Sequence, residues 1–171
     1  LIKFSSFDQW KEFAGSQWDL SERCVVYLNT SKFWYLNSKR HREDGPAIEF
    51  ANGSKEWHQH GKRHREDGPA IEFICGSKCW YQNDKLHRED GPAVERADGA
   101  KHWYEHGKRH RKDGPAREWP SGTKEWWVDG KRHREDGPAI EWSNGTKERW
   151  INGKRITYHL KNKRDIIEKL R

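Results

Sequence analysis

His41-Arg42-Glu43-Asp44-Gly45-Pro46-Ala47 returns unchanged from His64, His87 and His133, and as His-Arg-Lys-Asp-Gly-Pro-Ala from His110. Each return comes 23 residues after the last, without an insertion. A fixed period in this range marks a repeat architecture, in which each unit is one supersecondary element stacked on its neighbours. Working outward from the heptad, every unit then carries Glu49, Glu72, Glu95, Glu118 or Glu141. A turn glycine follows: Gly53, Gly76, Gly99, Gly122 or Gly145. A lysine, aromatics and a basic or Lys-Leu pair close the unit. An incomplete unit, Val25 to Arg40, precedes these five and holds Trp34 in register with Trp57.

Each unit reads as a β-hairpin. Ala47-Ile48-Glu49-Phe50 alternates with the period of a strand, and Lys55-Glu56-Trp57-His58-Gln59 is the return strand. Asn52-Gly53, and its equivalents Asp98-Gly99 and Asn144-Gly145, predict a two-residue turn between them. His60-Gly61 is a second turn, leading into Lys62-Arg63. Asp67-Gly68-Pro69 connects one hairpin to the next, because proline cannot donate to a ladder.

The aromatics fall into columns. Trp57, Trp80, Trp103 and Trp126 form the more regular one, and it is expected to be packed inside. His58, Tyr81, Tyr104, Trp127 and Trp150 form the next, which alternation places on the opposite face. That column is expected to face a partner, with Tyr81, Tyr104, Trp127 and Trp150 as its contact residues. A third column, Phe50, Phe73, Trp119 and Trp142, is broken by Arg96.

Gly61-Lys62-Arg63-His64, Ala51-Asn52-Gly53-Ser54 and Gly107-Lys108-Arg109-His110 resemble MORN (membrane occupation and recognition nexus) repeats. The resemblance covers about three quarters of the chain. This variant carries an extra Asp-Gly-Pro where the family has Gly-x-Gly, and Trp for much of the family's Tyr and Gly. In this it is similar to divergent arrays of phages and large DNA viruses. The resemblance implies an elongated, single-layer antiparallel sheet of stacked hairpins. It also implies a scaffold or binding role, placed in a host cytoplasm or a virion if the source is viral.

Three divisions are expected: an N-terminal helical cap over 1–23, the array over 24–155, and a basic C-terminal helical cap over 156–171. Phe7, Trp10 and Ala14 share one helical face, as do Ile166, Ile167 and Leu170. Such caps would hide the terminal edges of the array. The chain contains no Met and starts at Leu1, as expected of a piece of a longer product.

Composition agrees with a fold that lacks a thick aliphatic core. Of 171 residues only 32% are hydrophobic and 36% are charged, yet 11 are Trp, 5 Tyr and 6 Phe. Disordered chains of such polarity are poor in aromatics. No apolar run has the roughly 20 residues of a membrane-spanning helix. Three cysteines, Cys24, Cys75 and Cys79, are too few for a disulfide scaffold and are expected to be reduced, in a cytoplasmic setting.

Catalysis and metal binding are not expected, and neither is a cofactor. Equivalent histidines in successive hairpins stand about 10 Å apart, too far to share a zinc ion. A catalytic group is set once in a pocket, whereas this heptad is stamped out five times. The formal charge of +7 and pI of 9.3 raise nucleic acid as a partner. Arg42, Arg65, Arg88, Arg111 and Arg134 would form its ladder, with Lys161, Lys163 and Arg164 as a second patch. Against this, the first three full units are close to neutral. A protein partner is therefore the first expectation, nucleic acid the second, and an anionic membrane surface ranks behind both.

Overall fold

The computed structural model describes residues 24–157 and is all-β over that span. One open antiparallel sheet of 13 strands runs through it, its strands neighbouring one another in chain order. Cys24–Leu28 and Ser31–Leu36 open the sheet as its longest hairpin. Each later unit adds two short strands, as Ile48–Glu49 and Lys55–Glu56 do in the first. The helical caps expected at the two ends lie outside the described residues, and so do Lys161, Lys163 and Arg164. Only exposed Ile156 and Thr157 of the second cap are described.

The return strand differs from its sequence reading. It breaks at Trp57, and the chain beyond it forms a separate small hairpin, His58–Gln59 with Lys62–Arg63. Five such hairpins stand in a row beside the sheet. Neighbours in the row are tied by backbone bonds, as from Gly107 N–H to Leu86 C=O at 2.8 Å. The two-residue turn belongs to these hairpins. His60 (φ 51°) and Gly61 (φ 86°) both have the positive φ that a type I′ turn requires. At the other turn only Gly53 is left-handed, with φ 90°. Gly53 N–H donates to Phe50 C=O at 2.9 Å, and Asn52 Oδ1 accepts from Ser54 N–H at 2.9 Å. The two residues expected there are thus a three-residue loop closed by a left-handed glycine, a form that suits a bulged hairpin.

The repeated heptad is a clamp. Its histidine accepts, at Nδ1, the turn N–H of the next small hairpin: His41 from His60 (3.1 Å) and His87 from His106 (3.2 Å). His64, His110 and His133 do the same for Asn83, Asp129 and Asn152. Its arginine lies over the tryptophan of the preceding unit, with Arg42, Arg65, Arg88, Arg111 and Arg134 between 4.0 and 4.2 Å from the ring centroids. In four units Nε donates to the heptad's own Asp, and in all five an NH group reaches the Pro carbonyl and the following Glu. The bond from Arg88 holds the Asp90 carboxyl below the usual range. The closing alanine is fully buried in every copy, and Ala70 C=O accepts Trp57 N–H at 2.8 Å.

This clamp corrects the expectation of a packed tryptophan column. Trp57, Trp80, Trp103 and Trp126 are half-buried, because a single sheet has no second layer to cover them. A guanidinium covers each ring instead. Among the apolar residues described, true burial is confined to the five alanines, Val26, Ile48, Ile71, Ala100 and Ile140. Lys55, Glu72, Lys78 and Glu95 alternate along the clamp face, directly opposite one another across successive strands. Opposite charges so placed support the sheet.

Glycine in the heptad also has a different role from the one its turn position suggests. Gly91 does not have positive φ; what it leaves room for is the Arg88 guanidinium, since a Cβ there would stand 2.9 Å from Arg88 Cζ. Gly91→Val should therefore displace Arg88 from Trp80 and cost about 1–3 kcal/mol, as overpacking does. Thermal denaturation checks this, and an unchanged melting temperature would contradict the clamp.

Candidate interaction face

Strand alternation assigns the remaining side chains to the opposite face. Cross-strand partners share a face, so the pairing register runs one row through Phe33, Ile48, Glu56, Ile71, Cys79, Val94, His102, Arg117, Glu125 and Ile140. Two residues further along each return strand stand His58, Tyr81, Tyr104, Trp127 and Trp150. Their partners within the small hairpins are Arg63, Leu86, Arg109, Arg132 and Arg155.

Arginines and aromatics interleave on this face. Arg109 lies 5.3 Å from the Tyr104 centroid and 4.8 Å from that of Trp127. Arg132 follows, 5.2 Å from Trp127 and 5.1 Å from Trp150. Tyr104, Arg109, Trp127, Arg132 and Trp150 thus form one continuous cation–π stack. Tyr81 stands apart under Arg63, 4.1 Å away, because Leu86 replaces the arginine that would join it to Tyr104. Each contact of this kind contributes about 0.5–2 kcal/mol, more as it is desolvated. Of the four residues expected to contact a partner, the structure brings three together and leaves Tyr81 in a smaller group. All four are half-buried, and His58 of the same column is buried.

Carboxylates support the stack from the row beneath. Glu125 accepts from Trp127 Nε1 at 2.7 Å and pairs with Arg132 at 3.4 Å. Glu148 accepts from Trp150 Nε1 at 2.9 Å and pairs with Arg155 at 3.5 Å. No family model matches this chain, and no curated protein does. The assignment of a function thus rests on this geometry and on the hairpin repeat.

The junction of units three and four departs from the pattern. His102 stands where the other units have Glu56, Cys79, Glu125 and Glu148, and Arg117 stands where they have Ile48, Ile71, Val94 and Ile140. Arg117 Nε donates to His102 Nε2 at 3.3 Å and its guanidinium lies 4.0 Å from the Trp119 centroid. Burial, then Arg117, Arg109 and Arg96, push His102 down to about 4, with only Asp98 acting the other way. The folded state therefore resists the proton that the unfolded chain takes up near 6.5. Stability should fall as pH drops from about 6.5 towards 4, and His102→Gln should reduce that fall. Urea midpoints at pH 7 and pH 4.5 check it; identical pH dependence in the two chains would contradict a neutral His102.

The arginine ladder expected for nucleic acid occupies the clamp face. Arg42, Arg65, Arg88, Arg111 and Arg134 are held by Pro carbonyl, Glu and Trp contacts, and all but Arg111 by their Asp, with side chains 22–29% exposed. Between two successive clamp loops lies a groove of about 670 Å³, lined in part by Glu89, Asp90, Trp103, Lys112 and Asp113. Exposed lysines form two rows: Lys55, Lys78, Lys101, Lys124 and Lys147 on the clamp face, opposite its glutamates, and Lys39, Lys62, Lys85, Lys108, Lys131 and Lys154 at the hairpin tips. Cys75 and Cys79 are free thiols. Arg63, Arg109, Arg132, His102 and Arg117 were not singled out from sequence. Aligning the units on their heptads exposes the last two as departures.

Proposed function

We propose that this chain is a non-catalytic, MORN-like repeat scaffold that binds a protein partner through the face carrying Tyr81, Tyr104, Trp127 and Trp150. One observation carries the reading: the half-exposed stack from Tyr104 to Trp150. Tyr, Trp and Arg are the residues in which interface binding energy concentrates, and this stack consists of them alone. The clamp explains the heptad as architecture, which leaves its histidines and carboxylates with structural work. A host cytoplasm or a virion is the setting that the MORN-like resemblance suggests.

Affinity capture by the full chain tests the proposal, with Trp150→Ala and Lys108→Ala as the compared variants. A protein retained by the wild type and by Lys108→Ala, but lost with Trp150→Ala, supports it. Equal retention by all three contradicts it. Nucleic acid is the second reading, favoured by the exposed lysine row at the hairpin tips. It predicts that affinity falls by decades between low and physiological salt, and that Lys108→Ala reduces the salt slope.

A further inference from the structure

We propose that the interaction face holds, beside Arg109 and Arg117, a binding site for an acidic side chain of the protein partner. This rests on the reading of that face as the interaction face. The array supplies its own template for the site. In unit four, Arg132 has Glu125 beneath it; in unit five, Arg155 has Glu148. In unit three the equivalent carboxylate is replaced by His102, and among the described residues Arg109 bonds to Tyr104 and to no carboxylate. Its hydroxyl contact, from NH2 to Tyr104 Oη at 2.9 Å, carries no opposing charge. Its Nε is buried without a hydrogen-bond partner, as is that of Arg132.

Arg117 makes the imbalance larger. It introduces a second cation into a row that is otherwise Ile or Val at this position. Burial, then nearby Arg109, lower its pKa, with Glu125 acting against them. Glu125, buried itself, is the row carboxylate that acts on Arg117 and Arg132, and it is already bonded to Arg132 and Trp127. Arg96 adds a fourth cation nearby, paired with Asp98 at 3.1 Å. His102 cannot relieve the excess, since its Nε2 accepts from Arg117. Half-buried cations without a counter-charge are costly to the fold. A carboxylate from outside, reaching Arg109 and Arg117, restores what units four and five contain. Guanidinium groups bind carboxylates with directional, charge-assisted bonds. A protein acid is favoured over a phosphate because the sister sites are built around Glu between arginine and tryptophan.

The experiment uses the full chain and a fluorescein-labelled glutamate-rich peptide, with the same peptide carrying Gln for Glu as its control. Fluorescence anisotropy should show the Glu peptide binding at least about tenfold tighter than the Gln peptide. His102→Glu restores the internal carboxylate; it should weaken the Glu peptide about tenfold or more and raise the melting temperature. Arg117→Ile, which restores the apolar row, should also weaken it. Equal binding of the two peptides overturns the proposal, as does affinity unchanged in both variants. A single-stranded oligonucleotide bound tighter than the peptide, and lost in the same variants, also overturns it. If the peptide fails while Trp150→Ala still releases the captured partner, the interaction face stands and only the acidic site falls.

Discussion

Ile140→Ala should destabilise the chain by about 2–5 kcal/mol, the range for truncating a buried aliphatic side chain. Ile140 is 1% exposed and sits in the row beneath the stack, between Glu125 and Glu148 on the neighbouring strands. Among the described residues so few apolar side chains are fully buried that each one carries a large share of the core there. In a repeat array the loss is borne first by the unit concerned and its neighbours. The denaturation curve should consequently broaden as well as shift. Ile74→Ala is the matched control: Ile74 is 69% exposed, and its removal should stay within about 0.5 kcal/mol. Equal melting curves for the two variants would contradict the placement of the core.

Trp103→Ala and Trp127→Ala should both destabilise, by about 2–3 kcal/mol each. The estimate is below the 3–5 kcal/mol of a fully buried tryptophan because both rings are half-buried. Each loses a guanidinium contact: Arg111 over Trp103, and Arg109 and Arg132 about Trp127. Trp127→Ala additionally leaves buried Glu125 short of one donor. The column regularity in the sequence predicts instead that only Trp103 is costly. Urea denaturation of both variants decides between the two: a large loss for Trp103→Ala alone favours the sequence expectation.

The architecture was legible because the heptad recurs at constant spacing and its hairpin residues alternate. Ile48 and Glu49, or Lys55 and Glu56, lie on the strands that alternation assigns them. The opposite faces of Trp103 and Tyr104 were legible for the same reason. Their burial was not, because it depends on arginines supplied by other parts of the chain. Arg111 reaches Trp103 from the following clamp loop, and Arg109 reaches Trp127 from the preceding hairpin. Column regularity reports the constraint on Trp57, Trp80, Trp103 and Trp126 without revealing that the constraint is an arginine. Asn52-Gly53 misled for a local reason: Asn52 closes its own side-chain turn and leaves Gly53 as the single left-handed residue. His102 and Arg117 were readable in principle, as charges at positions where sister units carry other residues. Their significance needed the register that sets them side by side, with Arg109 above.

The central claim is that the clamp face is architecture and the stack face meets the partner. Hydroxyl-radical footprinting of the chain alone and bound to its captured partner tests it without any substitution. Protection should appear at Tyr104, Trp127 and Trp150, with Tyr81 included if the contact spans Leu86, while Trp57, Trp80, Trp103 and Trp126 keep their reactivity. Protection of that tryptophan column, with the stack residues unchanged, would contradict the account.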